Sequence, residues 1–181
     1  MTTQAMPSAG RHAGDAVRAA PTVHTHTSGA YRAGILAGTI AGAEMAVFMM
    51  AWMTVVGHSV WTNPDLIAAM WLGPHVADGR LGGATLVGFA THMATSALMG
   101  LVAVPFVAGL SRGRTLLASL SYAVASYPVV FALVLSWANP LMVARTELVP
   151  MTVAHAVFGL TMGAAFLGLT HGARSDPGSR S

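Results

Sequence analysis

Four stretches of this chain, 33–56, 83–108, 115–137 and 148–170, hold one charged side chain between them, Glu44. Each exceeds the ~20 residues that, at about 1.5 Å per residue, cross a hydrocarbon core of about 30 Å. A soluble domain of 181 residues has no room to bury four such runs. In lipid the backbone must satisfy its own hydrogen bonds, so each run is expected as a helix. The fold class expected is all-α: a polytopic membrane protein with four transmembrane helices in an up-down bundle. Composition agrees, with 54% hydrophobic residues, 8% charged and a mean hydropathy of +0.62.

The same composition excludes several functions. All nine basic residues are Arg, scattered rather than gathered into a patch, which argues against nucleic acid as a partner. There is no Cys, so disulfides, thiolate chemistry and Cys-ligated clusters are ruled out. No nucleophile, base and orienting group stand together, and no phosphate-binding loop occurs, so no enzymatic activity is expected. Residues 1–30 and 172–181 are polar or rich in Ala, Thr, Ser and Gly without apolar period, and are expected as disordered tails flanking a transmembrane domain at 31–171. His24 and His26 in the first tail are incidental on this reading.

Small residues recur at helical spacing. Gly34, Gly38 and Gly42 line one face of the first span; His92, Ser96 and Gly100 line the second, and His155, Gly159 and Gly163 repeat that pattern in the fourth. Positions i, i+4 and i+8 drift by only about 80° around a helix, so each set forms one stripe along which another backbone can approach closely in lipid. Met45, Met49 and Met53 repeat in the same way and are read as packing filler rather than a copper ladder.

The halves resemble each other beyond these stripes. Trp61 and Asn63-Pro64 follow the first span as Trp137 and Asn139-Pro140 follow the third, so the bundle reads as two tandem hairpins related by an axis along the membrane normal. The first half is longer by an insertion. Asn63, Pro64 and Asp65 have the order of a helix start, and 66–72 is expected as a short interfacial helix in the first outer loop, ended by Gly73-Pro74. Ser111, Arg112 and Arg114 lie in a tight turn that should set the third span antiparallel beside the second, and Pro128 should kink the third. Arg18, Arg32, Arg112, Arg114, Arg174 and Arg180 lie on one side and only Arg80 and Arg145 on the other, which predicts cytoplasmic termini; all four Trp then fall toward the outer face.

Glu44, His92, Tyr127 and His155 each place one polar group at overlapping depth, one per span. Intramembrane ionisable groups are either structural register pins or a functional site. An acid near the bilayer centre is costly unless protonated or paired, so Glu44 is expected to point into the bundle toward His92 or His155. Haem fits poorly between stripes made for close backbone approach, and a two-His, one-carboxylate metal lacks a supporting set of Asp or Asn, so no cofactor is expected. The reading favoured is a structural or accessory membrane component. The alternative is a small-solute or proton transporter built on the Glu/His group. The partners expected are the lipid bilayer and a second copy or a larger membrane complex.

The glycine-rich, Met-rich first helix, the Asn-Pro after a helix, and the His-x3-small-x3-Gly stripes of spans two and four together resemble an uncharacterised family of four-helix bacterial inner-membrane proteins, over about residues 30–171. What the resemblance implies is the four-helix architecture and a bacterial cytoplasmic membrane. It brings no catalytic residues.

Overall fold

The computed structural model describes residues 23–172, with side chains from 28 to 171; residues 1–22 and 173–181, and with them most of both expected tails, lie outside the described residues, as do the side chains of His24 and His26. The described residues form helices and connections without a strand: α1 (Val23–Val55), α2 (Thr62–Leu72), a 3-10 turn (Pro74–Val76), α3 (Gly83–Val107), α4 (Arg112–Val130), a π-helical turn (Phe131–Leu135), α5 (Ser136–Ala138), α6 (Pro140–Arg145) and α7 (Leu148–Gly172). Four helices are long and apolar enough to cross a membrane: Ser28–Val55, Gly83–Val107, Arg112–Ala138 and Leu148–His171. The first begins earlier than the sequence predicts: 23–32 holds no proline, and it extends α1. The third continues through Pro128 and widens into the π turn.

The two hairpins are α1 with α3 and α4 with α7, and they join through α1 and α7. The tight turn at 108–111 does not make α3 and α4 close partners: they meet mainly through Tyr122, whose hydroxyl donates to the Met99 carbonyl at 3.2 Å and whose ring stacks on Phe106 at 5.9 Å. Glycine explains the difference. A Cβ on Gly38 would meet the Ser96 carbonyl and the Gly100 backbone, and one on Gly159 would lie 2.7 Å from the Ser119 carbonyl and 2.8 Å from the Leu120 Cα. Those two seams are the ones where backbones touch, as the stripes predict. Ala33, Ala37, Ala41, Met45, Met49 and Met53 fill the centre with Ala154, Phe158, Met162 and Phe166 of α7. Large apolar side chains such as Val47, Leu86, Leu117 and Leu133 stay exposed around the outside, a surface suited to lipid.

The short helix α2 departs from expectation. It does not merely rest on the bundle: Asn63, Pro64, Asp65, Leu66, Ala68 and Ala69 are buried, and it packs on α3, where Gly88 makes room for the Pro64 carbonyl. Thr85 Oγ1 donates to Asp65 Oδ1 at 2.8 Å, and Asn139 Nδ2 donates to the Leu66 carbonyl at 2.7 Å. Its start is also shifted: α2 begins at Thr62 with no side-chain cap, so Asn63 is inside the first turn. The second Asn-Pro does act as a cap. Asn139 Oδ1 accepts from the Met142 N–H at 3.1 Å, and Pro140 takes the first position of α6, where its missing N–H costs nothing.

Candidate functional site

The four polar residues of the spans separate into three environments. His92 reaches from α3 to α1, its Nε2 lying 2.9 Å from the Gly42 carbonyl. A carbonyl only accepts, so Nε2 carries the hydrogen of this bond. His155 bonds within its own helix, Nδ1 to the Met151 carbonyl at 2.9 Å, and its ring lies 4.8 Å from that of Tyr127. Tyr127 is buried and also meets the Phe131 ring at 5.2 Å.

Glu44 corrects the sequence-based expectation. It does not look inward to an imidazole; it is exposed on the bundle surface, where Thr161 of α7 donates to Oε2. The reason is angular. Glu44 lies about 160° around the helix from Gly42 if α1 keeps about 3.6 residues per turn, and the glycines are committed to α3, so the acid emerges on another side. Among the described residues, no group of three or more His, Asp or Glu is placed to hold a metal ion. The packing residues keep their expected roles: Gly34, Gly38 and Gly42 against Ser96, Gly100 and Val104, and Gly159 and Gly163 against Ser119 and Ala123.

Sequence reasoning missed a cavity at the end of the bundle that carries α2. It holds about 540 Å³ between the last turns of α1, the start of α2 and the connection from α6 to α7. Met49, Trp52, Met53, Val56, Leu66 and Pro150 give it apolar walls, and His58, Ser59, Thr62, Asn63, Asp78, Arg145, Thr146 and Glu147 add polar ones. Its rim is stapled by side chain to backbone bonds: Ser59 Oγ donates to the Gly79 carbonyl at 2.6 Å, Asp78 Oδ1 accepts from the Arg80 N–H at 3.0 Å, and Arg145 reaches the Ala77 carbonyl at 3.5 Å. Gly79, at φ 73°, supplies the left-handed turn that brings its carbonyl to Ser59. A sequence signal existed. Of the chain's few charges, Asp78, Arg80, Arg145 and Glu147 all fall in the two connections at this end.

Four apolar helices in two glycine-sealed hairpins, with a polar cavity where two of the spans end, define a multi-pass helical membrane protein. Compared with known families, curated proteins and solved structures, the chain matches no family model, no curated protein and no solved structure.

Proposed function

We propose that the chain is a structural or accessory component of a bacterial cytoplasmic membrane, with both termini cytoplasmic, rather than a conduit for protons or small solutes. The observation that carries this reading is the placement of Glu44 and Thr161 on the exposed α1/α7 surface. An ionisable group at a lipid-facing surface is expensive, and a partner helix that covers it removes the cost. A pathway would instead need polar groups lining the inside. There the centre is closed by Ala37, Ala41 and Ala154, each 0% exposed, and both imidazoles are engaged with backbone carbonyls. The Arg asymmetry supports the orientation.

Two experiments test this. Reconstituted in liposomes, the protein should give no proton or small-solute flux above protein-free vesicles; a flux abolished by Glu44→Gln overturns the reading. A photo-crosslinker at Val47, exposed one turn from Glu44, should trap another transmembrane chain or a second copy in native membranes, and products with lipid alone count against it. For orientation, single Cys at Ser111 should be shielded from a membrane-impermeant thiol reagent in intact cells and one at Asp78 labelled.

A further inference from the structure

The cavity at the α2 end has a chemical pattern that the accessory reading does not use. Asp78 and Glu147 bring two carboxylates to it and Arg145 a guanidinium, all three exposed, yet no ion pair joins them. Arg145 makes only a long bond to the Ala77 carbonyl, at 3.5 Å, and Asp78 uses Oδ1 on a backbone N–H, so most of their charged hydrogen-bonding capacity is free to face the cavity. Opposite charges on one cavity without mutual contact suit a ligand that carries both signs. Depth adds the second constraint. The cavity sits where α1 leaves its span and α7 enters its own, with Met49, Trp52 and Met53 beneath the charges, and the adjoining Leu148 and Val149 are 68% and 72% exposed on the lipid-facing surface. That is the level at which lipid headgroups lie and at which tryptophan collects. The volume, about 540 Å³, is in the range of small-molecule sites, ample for a headgroup and its glycerol.

We propose that this cavity binds a phospholipid whose headgroup joins a primary ammonium to a phosphate, with Asp78 and Glu147 accepting from the ammonium, Arg145 donating to the phosphate, and the first chain carbons lying on Met49, Trp52 and Met53. A primary ammonium has three N–H donors for the carboxylates, whereas a quaternary one has none, so an ethanolamine headgroup is preferred over choline. A headgroup without an ammonium leaves both carboxylates facing a phosphate of like charge.

The test uses the full chain purified in detergent and titrated with short-chain phosphatidylethanolamine, phosphatidylcholine and phosphatidylglycerol, with thermal unfolding and calorimetry as readouts. Phosphatidylethanolamine should bind roughly tenfold or more tightly than either of the others, the loss expected for a charge-assisted hydrogen bond. In the double variant D78N/E147Q its affinity should fall to that of phosphatidylcholine. Arg145→Gln should weaken binding of all three lipids, since each carries a phosphate, while leaving their order unchanged. Equal affinity for the three lipids in the wild type overturns the proposal, and that comparison stands even if a variant fails to fold. Survival of the ethanolamine preference in D78N/E147Q also overturns it. So does soluble phosphoethanolamine binding as tightly as the lipid, which would move the site's ligand from the membrane to water.

Discussion

On α3, His92 crosses the seam to the Gly42 carbonyl of α1; on α7, His155 turns back to its own Met151 carbonyl and lies against Tyr127 of α4. The two helices carry the same spacing of His, small residue and Gly, so the difference comes from what stands opposite. Gly42 has no side chain, and a Cβ there would run into Ser96 Cβ and Oγ; without it α3 comes close enough for the His92 imidazole to reach the Gly42 carbonyl. Opposite His155 stands an aromatic ring. The same contrast runs down both seams. Backbone faces backbone between Gly38 and Gly100, whereas Gly163 faces the side chains of Ser119 and Leu116. Each seam thus has backbone-to-backbone points, at Gly38–Gly100 in one and Gly159–Ser119 in the other, and backbone-to-side-chain points, at Gly42 and Gly163, and the first kind has less freedom to adjust.

Adding a single methyl group should grade that freedom. Gly100→Ala drives a Cβ into the Gly34 carbonyl and the Gly38 backbone, which cannot swing away. It should cost about 3 kcal/mol or more, at the top of the overpacking range, and thermal unfolding in detergent should show the largest loss here. Gly159→Ala meets one carbonyl, one Cα and the Ala123 Cβ, at 2.7 to 2.8 Å, and should cost about 2 kcal/mol. Gly163→Ala meets Ser119 Oγ at 2.9 Å and Leu116 Cδ2 at 3.3 Å, movable groups, and should cost about 1 kcal/mol. An equal loss at Gly100 and Gly163 would erase the distinction between the two kinds of contact.

The histidines offer a smaller contrast. His92→Phe removes a bond between helices and should cost roughly 0.6 kcal/mol, the average for such bonds in membranes. His155→Phe removes only a bond to its own helix, keeps an aromatic ring against Tyr127, and should cost less, measured in the same unfolding assay. A larger loss at His155 would mean that the ring contact, not the cross-helix bond, holds its seam. Ser119 should act in the opposite direction. Its Oγ is buried without a partner, so Ser119→Ala should leave stability unchanged or raise it by up to about 1 kcal/mol. A clear loss of stability would show that the hydroxyl is satisfied and that the α4–α7 seam is as closely fitted as the other.

The sequence by itself determined the number of spans, their near positions and the faces that make the two seams, because charge-free length and fourfold spacing act locally along one helix. It marked a helix start at Asn63-Pro64, where Asn63 makes no cap, and left unread the one at Asn139-Pro140, where the side chain does cap α6. Only the tertiary structure decided where Glu44 points, since the glycines and the acid compete for the rotation of one helix and the winner depends on which neighbour packs closest. The same holds for α2. Its apolar run was legible, but its burial follows from Gly88 and Thr85, about 20 residues downstream along the chain, and from Asn139, far beyond any local window. The cavity is the extreme case. Its apolar walls come from helix ends and its polar ones from two separate connections without period, so their meeting is fixed by how the helix ends are splayed and by nothing written within any one of them.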